Sequence, residues 1–254
     1  MARMNFDLDP TLVTPESVAE DRRRLRFAFL WTGSFVALLW LVLLLQVALG
    51  IDPGHFGVVP REPAGLLGVL TAPLVHSGFG HLFANTSAVL VLGVLALRLY
   101  PRAIRWALPV IWLGSGLLVW WLARPSSHIG ASGIAQGLMF FIFAMGLLRR
   151  ERLAIIASMV VFFLYGSMVY GVLPQDPRIS WEYHLFGSLC GLLSAFFLYR
   201  LDAMPPRRSY SWEQAGEDDD RSGNQDETPF SVLQQRAERA ALDAAEQDME
   251  ADRG

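Results

Sequence analysis

The sequence predicts an all-α membrane protein of six transmembrane helices, with a long outer loop between the first and second helices. Three observations support this fold class. The chain is 53% hydrophobic with a mean hydropathy of +0.34, which is too apolar for an ordinary soluble domain. Apolar runs close to the length of a membrane span recur along it. Its arginines concentrate at alternate ends of these runs.

The first apolar run covers residues 27–50 and contains 24 residues without a charge. As a helix it would be about 36 Å long, which is enough to cross a bilayer. A cleaved signal peptide is the alternative, because Ala48-Leu49-Gly50 resembles a cleavage site. The apolar core is longer than the roughly 7–15 residues of a signal peptide, which favours an uncleaved anchor.

Five further apolar runs follow, each near the length that a spanning helix requires. We place them at about 81–99, 103–123, 131–148, 153–173 and 182–200. The segment 51–80 contains four prolines and several glycines but is apolar for an aqueous loop. An interfacial or re-entrant segment explains this composition better than a plain extracellular loop does.

The distribution of arginines predicts the orientation of the chain in the membrane. Thirteen of them flank the ends that we assign to the cytoplasm: Arg22, Arg23, Arg24, Arg26, Arg98, Arg102, Arg105, Arg149, Arg150, Arg152, Arg200, Arg207 and Arg208. The opposite loops contain three: Arg61, Arg124 and Arg178. Because basic residues accumulate on the cytoplasmic side, we expect a multi-pass protein of the cell membrane with both termini cytoplasmic.

Charge also divides the chain into three regions: a cytoplasmic N-terminal segment (1–26), a membrane domain (27–201) and an acidic cytoplasmic tail (202–254). The tail has 14 acidic residues and 6 arginines, a net charge of −8, whereas residues 1–201 have 10 acidic residues and 15 arginines, a net charge of +5. The acidic run predicts partial disorder in the tail. Thr228-Pro229 resembles a helix start, which predicts a helix from about residue 229.

Four polar side chains are predicted to share one depth in the membrane. Helices 2, 4 and 6 all run from outside to inside, so their N-terminal ends lie together. Helix 2 carries His81 and Asn85 one turn apart, helix 4 begins with Ser132, and helix 6 has His184 in its first turn. Ionisable groups within a span indicate function, and a serine becomes a good nucleophile when a histidine acts as its base.

Small residues predict how two of these helices meet. Gly133 and Gly137 lie on helix 4, and Gly187 and Gly191 lie on helix 6. This spacing allows membrane helices to approach almost backbone to backbone. This glycine spacing favours close helix packing whether or not the site is catalytic. If the two faces pair, the hydroxyl and the imidazole above them come within hydrogen-bonding reach.

Three motifs in this order resemble the rhomboid intramembrane serine proteases. They are His76-xxxx-His81-xxx-Asn85, Gly130-Ala131-Ser132-Gly133 and His184-xx-Gly187-xxx-Gly191. The resemblance covers about residues 27–201. It implies an intramembrane serine endopeptidase in which Ser132 is the nucleophile and His184 the general base. It also implies that His81 and Asn85 stabilise the oxyanion, and that the substrates are single-span membrane proteins cut in or near their span.

Two features depart from the family pattern. The family often has a Trp-Arg pair in the first outer loop, where this chain reads Pro60-Arg61-Glu62-Pro63. The residue four positions after the serine is usually aromatic in rhomboid proteases, and here it is Gln136. We interpret Gln136 as a residue that orients His184 through a hydrogen bond. We expect His76 and His128 to be loop or entrance residues without a direct role in the chemistry.

Two other functions are compatible with the same six-helix membrane fold. One is a catalytically inactive rhomboid-like protein that binds membrane clients. The other is a metal transporter, since all five histidines lie toward the outside, although few acids and no cysteine accompany them. The resemblance implies no cofactor and no metal. The expected partners are membrane-protein substrates and the lipid bilayer, not nucleic acid, and the oligomeric state stays open.

Overall fold

The computed structural model describes residues 15–174, 176 and 179–202, which belong to the unit Met1–Ala203. Every regular element in these residues is helical. The expectations for residues 1–14 and for the acidic tail beyond residue 202, including its helix from about residue 229, lie outside the described residues.

Eight α-helices follow one another in this part of the chain: α1 Pro15–Leu49, α2 Gly65–Thr71, α3 Phe79–Leu99, α4 Ile104–Pro109, α5 Ser115–Leu122, α6 Ser132–Arg149, α7 Arg152–Tyr165 and α8 Trp181–Leu198. A π turn, Val110–Gly114, joins α4 to α5 without a break. It follows Pro109, whose missing N–H disturbs the regular hydrogen-bond ladder. A 3-10 segment, Gly166–Val172, continues α7.

Five helical stretches of the described residues are long and apolar enough to cross a membrane: Val18–Leu49, Phe79–Leu99, Ile104–Leu122, Ser132–Arg149 and Arg152–Val172. They correspond to the first five predicted runs. The sixth run forms α8, a helix of 18 residues. It is not among the five, because Glu182 and His184 in its first turn lower its hydropathy. The sixth span therefore stays a prediction.

The first helix begins at Pro15, twelve residues before the apolar run. Its arginines are therefore helical, and an ion pair between Glu20 and Arg24 supports the added turns. With 35 residues, α1 would be about 52 Å long, more than the hydrocarbon thickness of a bilayer. A spanning helix of this length is expected to carry its basic first turns past the hydrocarbon layer.

The segment between α1 and α3 is more ordered than the long loop that the sequence predicted. It contains a 3-10 turn, Pro53–Phe56, and the short helix α2. Helix α2 buries Val69 against Val119 and Tyr183 and leaves a leucine face exposed: Leu66, Leu67 and Leu70. An exposed apolar face is what an interfacial helix requires, and this placement stays a prediction.

Helix α6 is the centre of the bundle. Helices α3, α7 and α8 all pack against it, and Ile134, Phe141 and Ile142 are fully or almost fully buried. Since α6 begins with Ser132, the most enclosed helix of the described chain carries the candidate nucleophile at its end.

Candidate active site

A glycine turn places Ser132 at the start of α6. Gly130 has φ of +107°, a conformation that L side chains rarely adopt. Its N–H donates to the carbonyl of Ala72 at 2.8 Å. A Cβ at this position would lie 2.6 Å from Cε1 of His81. Both the backbone conformation and the space therefore require glycine here, and the turn brings Ser132 beside the start of α3.

His184 lies in the first turn of α8, and a backbone group orients its ring. Its Nδ1 is 2.9 Å from the carbonyl oxygen of Gly171. A carbonyl oxygen only accepts hydrogen bonds, so Nδ1 carries the proton and Nε2 is left as an acceptor. This is the tautomer that a general base needs.

The glycines of α6 and α8 meet as predicted. A Cβ at Gly187 would lie 2.1 Å from the carbonyl oxygen of Gly133, and a Cβ at Gly191 would lie 2.1 Å from that of Gly137. No real Cβ is this close to another atom, so the two helices touch backbone to backbone. The predicted glycine pairing is confirmed, and it leaves no room for a side chain between the two helices at these positions.

Ser132 and His184 line one cavity of about 1020 Å³, together with His81, Asn85 and Gln136. All four predicted site residues thus face the same space. Among the described residues, no hydrogen bond joins Ser132 to His184. The structure brings the side chains to a shared cavity, and the bond between them belongs to the catalytic proposal below.

His81 and Asn85 present donors beside the glycine turn. Nδ1 of His81 is 3.1 Å from the hydroxyl of Ser77, which can donate to it and leave Nε2–H directed elsewhere. A Cβ at Gly130 would lie 2.8 Å from that Nε2 and 3.7 Å from Nδ2 of Asn85. Nδ2 of Asn85 is buried and has no hydrogen-bond partner among the described residues. An unpaired buried donor is costly, which favours a site built for an incoming acceptor.

His76 holds the backbone of the turn before Ser132, a role that the sequence analysis missed. The N–H of Ala131 donates to its Nε2 at 3.3 Å, and its ring packs edge-on against His81. Burial, reinforced by the neighbouring His81, lowers the pKa of His76 to about 4. The ring is therefore a neutral acceptor near neutral pH. The sequence feature that could have indicated this role is the spacing of His76 from His81 and Asn85 in one motif.

A second polar cluster ties the loop before α6 to the start of α8. Glu182 is 3% exposed and lies 3.3 Å from Nε of Arg124. The ring of His128 is hydrogen bonded to the hydroxyl of Ser180 and to the carbonyl of Arg124. Burial lowers the pKa of His128. Within the described chain, no three His, Cys, Asp or Glu side chains group to hold a metal ion.

Gln136 does not make the expected hydrogen bond to His184. Its Nε2 donates to the carbonyl of Met168 at 2.6 Å. The two side chains instead contact one segment, since a Cβ at Gly171 would lie 2.9 Å from Nδ1 of His184 and 3.1 Å from Nε2 of Gln136. The 3-10 segment after α7 supplies carbonyl groups that both donors reach.

Comparison with known proteins identifies the family. The profile described as Rhomboid domain matches residues 63–201, more than half of the chain. The chain belongs to the rhomboid family. It is a multi-pass membrane protein, and its family acts on membrane-protein substrates within the bilayer. All four candidate site residues lie inside the matched range.

Several mycobacterial proteins are similar to this rhomboid chain. Uncharacterized proteins of Mycobacterium tuberculosis and Mycobacterium bovis are each 36% identical over 192 residues, which is 72% of this chain and 78% of the relative. An uncharacterized protein of Mycobacterium leprae is 33% identical over 217 residues, 82% of this chain and 84% of the relative. No solved structure matches.

Proposed function

We propose that this rhomboid protein is an intramembrane serine endopeptidase that acts through Ser132 and His184. The observation that carries the proposal is the Nδ1–H of His184 on the carbonyl of Gly171, which makes Nε2 a base in the cavity that Ser132 lines. A base held by a fixed third group is the general arrangement of an activated nucleophile.

The chemistry needs one proton carrier. His184 Nε2 takes the proton of Ser132 Oγ as this oxygen bonds to the carbonyl carbon of the scissile peptide. The tetrahedral intermediate collapses, its C–N bond breaks, and the leaving amine takes the proton from His184. Water then attacks the acyl-serine ester with His184 again as base, which releases the acid product and restores Ser132.

Three donors serve the oxyanion in this proposal: His81 Nε2–H, Asn85 Nδ2–H and the backbone N–H of Ser132. The first two lie beside the glycine turn that precedes the nucleophile. A single oxyanion donor is typically worth about 3 kcal/mol to the transition state. The amide of Asn85 is buried without an acceptor in the free protein, which costs free energy. In the proposed reaction it gains an acceptor when the oxyanion forms, and the new hydrogen bond stabilises the transition state.

The membrane placement is also proposed. Six spans with both termini cytoplasmic put the cavity toward the outer face, where Arg124, Ser126 and Asp176 line it. Water can reach the ester from this side. The substrate is a single-span membrane protein, and its scissile region leaves the helix so that a carbonyl carbon reaches Ser132.

The test is cleavage of a single-span reporter by the full-length protein in lipid vesicles, combined with labelling by a fluorophosphonate probe. Ser132→Ala and His184→Ala should each lower turnover by about four orders of magnitude or more, as in other serine proteases. Ser132→Ala should also abolish labelling. Ser87→Ala is the matched control, because Ser87 lines the same cavity but is not part of the dyad. Equal turnover in the wild type and Ser132→Ala would refute the proposal.

The inactive, client-binding protein is the competing function. Its support is the missing hydrogen bond between Ser132 and His184. Such bonds are often long in enzymes without substrate and tighten on binding, so this observation weighs little. A wild type that retains the reporter uncleaved and takes no probe would establish the client-binding function instead.

A further inference from the structure

A second cavity, of about 860 Å³, opens between α1 and α4. One side is an aromatic and aliphatic stripe on α1, and the other is formed by the facing helix and its π turn. The residues that form these two sides are Phe27, Trp31, Phe35, Leu38, Leu108 and Trp112. The α1 residues follow the spacing of one helical face. The cavity is therefore a groove whose walls suit hydrocarbon chains.

Arginines line one end of this groove. Arg23 and Arg24 come from the first turns of α1, and Arg105 comes from α4. An ion pair of 2.9 Å between Asp21 and Arg98 fixes the start of α1 beside the end of α3. The arginines of three helices therefore lie at the end of the bundle opposite Ser132, the end that the predicted orientation places at the cytoplasmic headgroups.

Two of the three arginines at the mouth are in no ion pair with a described residue. Arg24 is ion-paired with Glu20. Arg23 and Arg105 make no ion pair with any residue that the structure describes, and Arg105 donates through Nε to the carbonyl of Pro101. Both side chains are exposed. Their terminal nitrogens can bind the two oxygens of a phosphate in the paired geometry typical of guanidinium groups.

The interior of the groove also contains unpaired donors. Thr32 Oγ1 and Trp112 Nε1 are buried, line the cavity, and lack a hydrogen-bond partner in the described part of the chain. An occupant made only of hydrocarbon would leave both unpaired. An occupant with ester carbonyl oxygens below a charged headgroup can accept from them.

We propose that this groove binds one anionic phospholipid, with its phosphate on Arg23 and Arg105 and an acyl chain along the α1 stripe. Basic pockets between transmembrane helices are typical sites for anionic headgroups. Charge complementarity selects this occupant over a zwitterionic lipid. It also disfavours a second copy of the chain docked by the same face, because that copy would bring its own arginines against these.

The test measures lipid retained by the purified full-length protein, using native mass spectrometry. The probes are phosphatidylglycerol and phosphatidylcholine with identical acyl chains. The wild type should retain phosphatidylglycerol in preference. Arg23→Gln with Arg105→Gln should weaken its binding about thirtyfold, since each basic residue near an anionic membrane contributes about 1 kcal/mol.

The matched control is Arg150→Gln with Arg152→Gln. It removes the same charge from the same end of the bundle but outside the groove, and it should leave phosphatidylglycerol binding unchanged. Leu108→Trp keeps all charges and fills the groove, and it should lower binding of the lipid. Melting temperatures in lipid-free detergent should match the wild type for both arginine pairs, because these side chains are exposed.

Three results would overturn the proposal. Equal retention of the two lipids would remove the selectivity for charge. Equal losses in the two arginine pairs would indicate a diffuse charge effect. A dimer that dissociates in Leu108→Trp would identify a second copy as the occupant. None of these measurements depends on proteolysis, so a lipid site and a protease can fail separately.

Discussion

At the scale of single residues, a main-chain carbonyl orients His184, as a carboxylate orients the histidine of a catalytic triad. The carbonyl of Gly171 accepts from His184, and Gln136 holds the same 3-10 segment through the carbonyl of Met168. Gln136 therefore acts on the histidine through the segment and not through a direct bond. It is a positioning residue in the proposed enzyme.

We expect Gln136→Leu to lower kcat about tenfold with little change in KM, because loss of one buried hydrogen bond costs about 1–3 kcal/mol and the loosened segment misplaces the base. Steady-state cleavage of the single-span reporter measures both constants. Ser158→Ala is the control: its hydroxyl donates to the carbonyl of Ala154, equally buried but away from the cavity. That variant should lower the melting temperature and leave kcat unchanged. An unaltered kcat in Gln136→Leu would contradict this role.

The buried His76 makes stability depend on pH. Its pKa falls from an ordinary value of 6.5 to about 4 in the folded protein. Between these values the unfolded chain binds a proton that the folded chain does not, so the free energy of unfolding decreases as the pH drops from 6.5 to 4. The contribution is fully present above pH 6.5 and is lost below pH 4.

Thermal unfolding in detergent from pH 7 to pH 4 should therefore be less pH-dependent in His76→Gln than in the wild type. The glutamine oxygen can still accept from the N–H of Ala131, so the turn before Ser132 keeps its hydrogen bond. Identical pH slopes for the two proteins would exclude His76 as the source.

At the scale of elements, the contact of α6 with α8 decides the site. The glycines remove the side chains that would separate the helices, and Ser132 and His184 lie just above the contact. Tyr183 closes the same region, since a Cβ at Gly133 would lie 2.1 Å from its ring. The relative position of Ser132 and His184 thus depends on glycines that take no part in the proposed reaction.

Gly187→Ala should reduce both melting temperature and turnover. Its Cβ would strike the carbonyl oxygen of Gly133, which is backbone and cannot move aside, and overpacking of this kind costs about 1–3 kcal/mol or more. Gly33→Ala is the matched control within α1, because a Cβ there meets nothing within 4 Å. That change should be neutral or slightly stabilising. Equal behaviour of the two variants would argue against the backbone contact.

At the scale of the whole molecule, the two ends of the bundle differ in their charged residues. The end opposite Ser132 gathers the arginines of α1, α3 and α4, and it also contains Arg149, which lies over the ring of Tyr100. Desolvation by burial raises the pKa of Tyr100 to about 12. This end is rich in guanidinium groups, whereas the cavity end combines histidines and hydroxyls with fewer arginines and with acidic side chains such as Glu182.

This asymmetry predicts the topology. In intact cells, an impermeant maleimide should label Ser127→Cys, on the cavity side, and should label Arg150→Cys only after permeabilisation. Both positions are exposed, and the native Cys190 is buried and should contribute little background. The reverse labelling pattern would invert the proposed orientation.

The helices of this chain could be read from the sequence wherever apolar residues mark them. Helices α3 and α6 begin and end within about two residues of the predicted runs. The start of α1 was missed because charged residues can be helical without an apolar signal. The π turn after Pro109 was missed because its composition does not differ from that of the α-helix around it.

The sequence by itself determined the helical membrane class, the order of the spans and the four polar residues that face the cavity. These features depend on local composition and on residue spacing along a helix, which can both be read from the sequence. The tertiary structure decided that Gly171 orients His184, that His76 holds the turn of Ser132, and that α1 and α4 enclose a basic groove. The reason is physical: every residue has a carbonyl group, so only the packing of distant segments determines which carbonyl meets which side chain.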